Sequence, residues 1–354
     1  MKISIIGAGN SGLAMAAHLK IEGYNVTLWN RCETNIERLI KTRTIVVTGS
    51  LNCSVKIDLV TTNLDLALNG ADLLLITTPA DSHSDLAFMM KHKIKGIKAI
   101  ILNPGRTLGA YVFHKIFLEV DSDYQTIIAE TQSIIYTCRK VKEDEVNVIK
   151  IKNGISLACL NRKDMKKLWE IIPSVLKKYY TPVQSMVYTS IANVGMVLHC
   201  APLLLNTGWT ENISSGYFYY YEGISPSIAN FIDRLDMERI KIAEALGYQI
   251  ESTKAWIKRI YKVDCVALYE CIQNNPSYKF IDAPSNLKHR YILEDVTTGL
   301  VPLEQLGIKL GVSTHLITLV IDLASNLIES NLRDLGRTFS TEDVIEILEI
   351  LRHK

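Results

Sequence analysis

A glycine-rich turn between an apolar strand and a helix is the feature that most restricts what this chain can fold into. Lys2–Ile6 is a short run rich in β-branched residues, which predicts a buried strand. Three glycines follow it in a GxGxxG pattern: Gly7, Gly9 and Gly12. Residues 13–22 have helical apolar spacing, and Asn25–Trp29 predicts a second strand. In such a strand–turn–helix–strand unit, this glycine pattern is typical of dinucleotide-binding domains.

The alternation of strands and helices continues to about residue 178. Residues 71–78 are continuously apolar, as expected for a central parallel strand. From Pro182 onward the segments have helical periodicity: Ser225 and Pro226 predict the start of one helix, and residues 314–332 predict another. We therefore predict an α/β protein of two domains. Residues 1–180 form a Rossmann-type, doubly wound parallel sheet, and residues 181–354 form a second, all-helical domain.

Composition excludes several classes of function. Among 354 residues, 39 Lys and Arg nearly balance 37 Asp and Glu, so the formal net charge of +2 predicts no nucleic-acid partner. No apolar run in the sequence approaches the roughly 18–20 residues of a membrane span, so no membrane partner is expected. The seven cysteines are odd in number and scattered without a CxxC pair, which predicts neither a disulfide framework nor a metal site. That pattern favours a cytoplasmic protein.

The predicted helix over residues 314–332 is strongly apolar and lies in the helical half of the chain. An apolar surface of this kind is suited to a subunit interface between identical chains. The sequence therefore predicts a homodimer.

The glycines of the turn have distinct physical roles in holding a dinucleotide. Gly7 permits the tight turn, Gly9 lets the backbone approach a pyrophosphate, and Gly12 lets the helix pack closely on the strand. Asn10 and Ser11 lie at the predicted helix N-terminus, whose amide groups and dipole favour a phosphate. The alternative is a structural turn with no ligand.

The end of the second predicted strand distinguishes between the two nicotinamide cofactors. NAD-specific sites usually place Asp or Glu there, whereas this chain has Asn30 and Arg31. Arg31 can pair with a 2′-phosphate, and Arg38 is a further candidate, so NADP(H) is favoured. If Arg31 is only a solvated surface charge, the cofactor is NAD(H). Thr78 and Pro79 follow the central strand and are expected to line the same cofactor site.

Six segments that together span nearly the whole chain carry a resemblance to a known family. They are GAGNSGLAMAAHL at 7–19, ILNPGRTLGA at 101–110, AETQSIIYTCR at 129–139, TSIANVGMVLHCAPLLLN at 189–206, YYYEGISPSIANFIDRLDMERIKIAEALG at 219–247 and NPSYKFIDAPSNLKHRYILEDVTTGLVPLEQLG at 275–307. The chain resembles the octopine/nopaline-type opine dehydrogenases, and the last two segments are specific because generic dehydrogenases lack them. The resemblance implies that an α-keto acid and an L-amino acid form an imine, which NAD(P)H reduces to a secondary-amine dicarboxylate.

The resemblance also assigns a catalytic set. By its apolar surroundings alone, His199 would be taken for a core residue, but it matches the family's catalytic histidine, the natural proton carrier near neutral pH. Asp295 matches the carboxylate that orients this histidine, with a helix cap as its alternative role and Glu294 as its competitor. Arg290 matches the arginine that binds the keto-acid carboxylate, with a solvated surface charge as the alternative.

Other substrate-binding residues are expected at the edge of the predicted sheet and on the helix of His199. Glu130 and Thr131 end a predicted strand, and the resemblance implies that Thr131 assists the keto acid and Glu130 the amino acid. Asn206 lies seven residues after His199, on the same face of one continuous helix, and is a candidate for binding substrate or nicotinamide. Arg106 stands where the family commonly has a small residue; it contacts the cofactor or a substrate carboxylate, or is solvated.

Two other functions are compatible with a glycine turn. A dehydrogenase of the glycerol-3-phosphate, ketopantoate or β-hydroxyacid type would rely on a catalytic lysine in the helical domain, for which Lys241 is the candidate. A non-catalytic NADP-binding sensor would keep the turn but would not need the histidine, aspartate and arginine.

Overall fold

A computed structural model describes residues 1–212 and 216–352. The chain divides into two compact units, Met1–Thr189 and Ser190–Lys354. The boundary therefore falls at 189/190, rather than at 180/181 as the sequence predicted. The difference arises because residues 180–182 pair in parallel with Ile155–Cys159 and so belong to the sheet of the first unit.

All residues of the first unit are described. Its strands are β1 (Lys2–Ile6), β2 (Asn25–Trp29), β3 (Thr44–Gly49), β4 (Cys53–Lys56), β5 (Leu59–Thr61), β6 (Leu73–Ile76), β7 (Ala99–Leu102), β8 (Ile127–Thr131), β9 (Tyr136–Lys142), β10 (Glu145–Ile151), β11 (Ile155–Cys159) and β12 (Tyr180–Pro182). Its helices are α1 (Asn10–Ile21), α2 (Glu37–Thr42), α3 (Leu64–Leu68), α4 (His83–Met90), α5 (Gly109–Leu118), α6 (Met165–Ile171) and α7 (Ser174–Lys177).

The main sheet has the order β12-β11-β8-β7-β6-β1-β2-β5. Six neighbouring strands of this sheet are parallel to one another, in the order β8-β7-β6-β1-β2-β5, and β11 is antiparallel to β8. From β1 the chain builds the sheet outward through β2 and β5, and it then returns to β6 on the other side of β1. The crevice between β1 and β6 is therefore the topological switch point, where doubly wound folds bind dinucleotides. This architecture confirms the predicted Rossmann-type sheet, and the entirely buried strands β6 and β7 are apolar throughout, as central parallel strands are.

A second sheet of the first unit was not predicted from the sequence. Its order is β4-β3-β10-β9, and it packs on α1. β3 pairs in parallel with β10, so this sheet joins segments about a hundred residues apart along the chain.

The second unit is helical, as predicted. Its helices are α8 (Gly195–Leu205), α9 (Thr207–Thr210), α10 (Pro226–Ala245), α11 (Thr253–Tyr261), α12 (Leu268–Gln273), α13 (Arg290–Leu293), α14 (Val301–Lys309), α15 (His315–Leu327) and α16 (Thr341–Arg352). A π-helical turn, Val296–Leu300, lies between α13 and α14. The predicted start of α10 is correct, since Ser225 caps it by accepting the Ile228 N–H at 3.3 Å and Pro226 is its first residue.

The apolar helix α15 packs most of its apolar side chains inside the second unit. Leu316, Ile317, Val320 and Ile321 are buried, and Leu319 and Leu327 stay exposed on the same helix. Burial within one chain accounts for most of the apolarity on which the homodimer expectation was based.

The cysteines depart from the sequence expectation at one point. Cys265 and Cys271 form a disulfide with their Cα atoms 5.1 Å apart, and Cys271 begins the last turn of α12. Their spacing of six residues is not a recognised disulfide signal in sequence, so the pair was missed. Within the described ranges, no group of three or more His, Cys, Asp and Glu side chains is arranged to hold a metal ion. In the same ranges no helix is both long and apolar enough to cross a membrane.

Candidate active site

The glycine turn lies at the switch point between β1 and β6, and its geometry fits a dinucleotide. A Cβ on Gly12 would lie 1.8 Å from the Gly7 carbonyl oxygen, so only glycine lets α1 pack this closely on the turn. Gly7 has a φ of +116° and lies against Thr78, where a side chain would be strained. A Cβ on Gly9, by contrast, would meet nothing within 4 Å. This space next to the exposed backbone is what the approach of a pyrophosphate requires.

The turn is braced by its neighbours. The Asn10 side-chain oxygen accepts the Lys140 N–H of β9 at 2.9 Å, and the Lys140 ammonium donates to the Ala8 carbonyl at 3.3 Å. Asn10 therefore supports the shape of the turn through its side chain, and it is also the first residue of α1. Ser11 follows it in the first turn of α1 and is half-buried.

A cavity of about 360 Å³ lies beside the end of β2. Its lining includes Asn30 and Arg31, which follow β2, and Thr78 and Pro79, which follow β6. The structure therefore brings together four of the predicted cofactor-binding residues within the first unit. The cavity lies next to the switch point, where an adenosine half of a dinucleotide would be bound.

The two residues after β2 have different roles in this cavity. The Asn30 side chain accepts the Ala8 N–H at 3.2 Å and donates to the Cys32 carbonyl at 2.9 Å, so it holds the glycine turn to the loop after β2. Arg31 is exposed, and its Nη1 lies 3.9 Å from Asp85 Oδ2. An exposed pair at this distance contributes little to stability and does not prevent the guanidinium from turning to a phosphate. Arg38 is held differently, because its Nε lies 2.7 Å from Asp144 Oδ2.

In the second unit, His199 and Asp295 meet across the helices. His199 Nδ1 lies 2.8 Å from Asp295 Oδ2, although the residues are 96 positions apart. The Asp295 side chain is fully buried, and that of His199 is 18% exposed. A buried carboxylate bonded to Nδ1 selects one tautomer of the imidazole and stabilises its protonated form.

The π-helical turn places Asp295 next to α8. The Asp295 N–H donates to the Arg290 carbonyl and the Leu300 N–H to the Asp295 carbonyl, both at the wide spacing of five residues. A Cβ on Gly299 would lie 2.9 Å from Cβ of Met196 on α8. Glycine therefore allows this turn to approach α8 one turn before His199, which brings the carboxylate to the imidazole.

Two tyrosines that the sequence analysis did not single out hold His199. The Tyr291 ring stacks on the imidazole with centroids 4.1 Å apart and an interplanar angle of 12°. The Tyr219 hydroxyl donates to the His199 backbone carbonyl at 2.5 Å, and burial raises the pKa of this phenol well above its ordinary value. Tyr219 belongs to the aromatic run 217–221, which was the only signal for this role in the sequence.

Arg290 is the first residue of α13, directly before Tyr291. Its side chain is half-exposed, and its Nε lies 3.2 Å from Oε2 of the buried Glu294. Glu294 therefore pairs with Arg290, whereas Asp295 pairs with His199. Arg290 therefore lies on the same short segment as two of the residues that contact His199, Tyr291 and Asp295.

The remaining predicted residues make contacts inside their own units. Glu130 and Thr131 are fully buried at the end of β8. Glu130 accepts hydrogen bonds from the Ala110 N–H at 3.0 Å and the Thr189 hydroxyl at 2.8 Å, and Thr131 donates to a neighbouring strand. Asn206 donates to the carbonyls of Pro202 and Gly223, both at 2.7 Å, and thereby ties the end of α8 to the following loop. Their contact with substrate stays a prediction.

A dinucleotide-binding sheet in the first unit and a His–Asp pair in the second define an NAD(P)-dependent, two-domain oxidoreductase. A family model described as NAD/NADP octopine/nopaline dehydrogenase, alpha-helical domain, matches residues 182–328. Another, described as NAD-dependent glycerol-3-phosphate dehydrogenase N-terminus, matches residues 2–106. The opine dehydrogenase of Arthrobacter sp. (strain 1C) is 39% identical over 95% of this chain and 93% of its own length. The chain therefore belongs to the octopine/nopaline-type opine dehydrogenase family.

Other similar proteins are more distant in sequence. The D-nopaline dehydrogenase of Agrobacterium vitis is 24% identical over 84% of this chain and 79% of its own. A solved structure of octopine dehydrogenase with NADH and L-arginine has a TM-score of 0.75 at 19% identity, covering 93% of this chain and 90% of that one. An NADP⁺-bound structure of yersinopine dehydrogenase has a TM-score of 0.74 at 16% identity, covering 99% and 98%. These structures share the fold of this chain.

The competing dehydrogenase type is not favoured. The glycerol-3-phosphate match ends inside the first unit, which that type shares as a cofactor domain. Its candidate lysine, Lys241, is exposed on α10.

Proposed function

We propose that this protein is an opine dehydrogenase that condenses an α-keto acid with the amino group of an L-amino acid and reduces the resulting imine with NADPH. The observation that carries the proposal is the His199–Asp295 pair, at 2.8 Å, in a member of this family whose first unit has a dinucleotide-binding turn. The product is a secondary-amine dicarboxylate, and one water molecule is released when the imine forms.

His199 carries the protons in this scheme. Asp295 engages Nδ1, so proton exchange with the substrates falls to Nε2. His199 accepts a proton from the amino group as nitrogen bonds to the keto carbon, and it passes that proton to the carbonyl oxygen, which becomes a hydroxyl. It then carries the second amino proton to this hydroxyl, so that water leaves and the imine remains. Tyr291 and Asp295 keep the ring in one orientation through both transfers.

Arg290 binds the keto-acid carboxylate. A guanidinium offers a carboxylate two parallel N–H donors, and Arg290 lies half-exposed one residue from the tyrosine that stacks on His199. Its ion pair with Glu294 fixes the Nε side of the guanidinium. A bound nicotinamide supplies the hydride for the imine carbon, and Gly7, Gly9 and Gly12 are the residues that hold its diphosphate.

We propose NADPH rather than NADH as the preferred cofactor. Relatives in the family have been solved with NADH and with NADP⁺, so the family uses both. In this chain Arg31 lines the cavity after β2. Asn30 stands where NAD-specific sites have a carboxylate, and unlike a carboxylate it does not repel a 2′-phosphate.

We also expect a homodimer and a cytoplasmic location, as predicted from the sequence. For the dimer, the remaining support is the pair of exposed apolar side chains on α15, Leu319 and Leu327, which a second copy would cover. Sedimentation of the purified protein tests the dimer, and a monomer at micromolar concentration would contradict it.

The proposed reaction is tested by following oxidation of NADPH, with NADH in parallel, as pyruvate and a panel of L-amino acids are added singly and together. Oxidation only when both substrates are present supports the proposal. Oxidation with the keto acid alone would identify an ordinary keto-acid reductase. Cofactor binding without turnover on any pair would favour the sensor.

A further inference from the structure

His199 lies next to a weakened turn of its own helix. Pro202 is inside α8, three residues after His199, and it has no backbone N–H to donate to the Leu198 carbonyl. A proline ring inside a helix also crowds that carbonyl, which belongs to the residue directly before His199. The backbone at His199 therefore receives less support from helical hydrogen bonds than the interior of an ordinary helix, and contacts from outside α8 matter for its position.

Residues 217–223, called the aromatic strap from here on, contact α8 on both sides of this proline. The Tyr219 hydroxyl donates to the His199 carbonyl at 2.5 Å, and the Asn206 side chain donates to the Gly223 carbonyl at 2.7 Å. The first contact lies before the proline and the second lies after it, about two helical turns further along. The aromatic strap therefore spans the part of α8 that the proline weakens.

The aromatic strap is itself held in shape. A Cβ on Gly223 would lie 2.5 Å from the Tyr219 carbonyl oxygen, so only glycine closes this turn. The Tyr219 N–H donates to the Ile281 carbonyl at 2.7 Å, and the Tyr220 ring stacks on Tyr278 with centroids 4.1 Å apart. Because it is tied to a second segment of the helical unit, the aromatic strap can restrain α8.

The Tyr219 side chain also contacts the ring that orients the imidazole. Its ring centroid lies 5.0 Å from that of Tyr291, which stacks on His199. Tyr219 is fully buried, so water does not compete for its hydroxyl. One side chain thus supports both the backbone of His199 and the tyrosine on the face of its ring.

The Asn206 side chain is engaged by the protein. Its amide has two N–H donors, and these bind the Pro202 and Gly223 carbonyls, both at 2.7 Å. These two bonds join the end of α8 to the aromatic strap. They favour a structural action on α8 over the contact with substrate or nicotinamide that the sequence suggested.

We propose that Tyr219 and Asn206 are positioning residues of the reaction, which hold α8 to the aromatic strap and thereby keep His199 in contact with Asp295. This role rests on the proposed function, in which His199 carries the protons. Neither residue needs to touch a substrate, so their removal should slow turnover and leave substrate binding nearly unchanged.

The test is a double-mutant cycle of Tyr219→Phe and Asn206→Leu, assayed with NADPH, pyruvate and a substrate amino acid. We expect each substitution to lower kcat about 3- to 10-fold and to leave all three KM values within about twofold. The double variant should lose little more than either single variant, because both changes release the same strap from α8. Tyr221→Phe is the matched control, since this hydroxyl donates to the Asn275 carbonyl at 3.2 Å, outside α8, and its removal should not change kcat.

A second readout needs no turnover. In protein labelled with ¹⁵N-histidine, an NMR titration gives the pKa of the His199 imidazole, whose signals are those missing in His199→Asn. We expect this pKa to be lower in Tyr219→Phe and Asn206→Leu than in wild type, because an imidazole held less closely by Asp295 is less stabilised in its protonated form. Tyr221→Phe should leave it unchanged.

Three results would count against these roles in different ways. Unchanged kcat and an unchanged His199 pKa in Tyr219→Phe would overturn the positioning role, even if the melting temperature falls. A raised KM for pyruvate or the amino acid in Asn206→Leu, with losses that multiply in the double variant, would show that Asn206 binds substrate instead. Wild-type protein inactive with every substrate pair would overturn the proposed function, whereas the pKa comparison would still decide whether the aromatic strap holds His199.

Discussion

The imidazole of His199 is held by residues that are far apart in the chain. Asp295 bonds to its Nδ1, Tyr291 stacks on its face, and Tyr219 binds its backbone carbonyl. The roles of His199 and Asp295 could be predicted from the sequence because the motifs around them resemble a family. The role of Tyr291 could not, because ring stacking between α8 and α13 depends on how the helices pack.

Removing either member of the His–Asp pair should abolish most of the turnover without lowering the affinity for NADPH. We expect His199→Asn to lower kcat about 10²- to 10⁴-fold, because it removes the proton carrier. Asp295→Asn should also lower kcat strongly, because an amide cannot stabilise the protonated ring. Steady-state kinetics measures both, and fluorescence titration with NADPH is the control. A His199→Asn variant with near-normal kcat would remove this residue from the mechanism.

Tyr291 acts on the reaction through His199, so the ring and not the hydroxyl should matter. We expect Tyr291→Phe to retain kcat and Tyr291→Leu to lose about tenfold or more, since an aliphatic side chain cannot stack on the imidazole. The pH dependence of kcat should also shift in Tyr291→Leu, because the stacked ring face stabilises the imidazolium. A merely structural role predicts an unchanged pH profile and a loss of stability instead.

Arg31 should decide between the two cofactors. We expect Arg31→Ala to raise KM for NADPH about tenfold or more and to leave KM for NADH nearly unchanged, because only NADPH carries the 2′-phosphate. Arg38→Ala is the matched control, since Arg38 is also exposed but is held by Asp144 at 2.7 Å. Equal effects of Arg31→Ala on both cofactors would argue against the NADPH preference.

At the scale of elements, the main sheet could be predicted and the smaller sheet could not. Buried parallel strands are recognisable as continuous apolar runs, as in β6 and β7. The β4-β3-β10-β9 sheet is built from short, partly exposed strands, and β3 pairs with β10 across the chain. The π-helical turn was missed for a similar reason, because it packs through Gly299 against Met196, a contact between residues far apart in the chain.

Two substitutions in the glycine turn should affect protein stability and NADPH affinity separately. A Cβ at Gly9 meets nothing within 4 Å, whereas one at Gly12 would lie 1.8 Å from the Gly7 carbonyl. We therefore expect Gly9→Ala to keep the melting temperature of the cofactor-free protein and to weaken NADPH binding at least about tenfold. Gly12→Ala should lower the melting temperature itself. Loss of stability in Gly9→Ala, or unchanged NADPH affinity, would show that the pyrophosphate does not approach this backbone.

For the whole molecule, the order of a cofactor domain followed by a helical domain was clear from the sequence, and their boundary was not. Helical periodicity begins near Pro182, but residues 180–182 pair with β11, and the Thr189 hydroxyl bonds to Glu130 of β8. Periodicity reports the local conformation of a segment, and the boundary depends on which unit the segment packs against.

The mass of the product decides whether this protein joins a keto acid to an amino acid. Wild-type protein is incubated with NADPH, unlabelled pyruvate and an L-amino acid labelled with ¹⁵N at its α-amino group, and the products are analysed by mass spectrometry. We expect one secondary amine that contains both carbon skeletons and retains the ¹⁵N atom. A 2-hydroxy acid formed from pyruvate, with the labelled amino acid recovered unchanged, would contradict it.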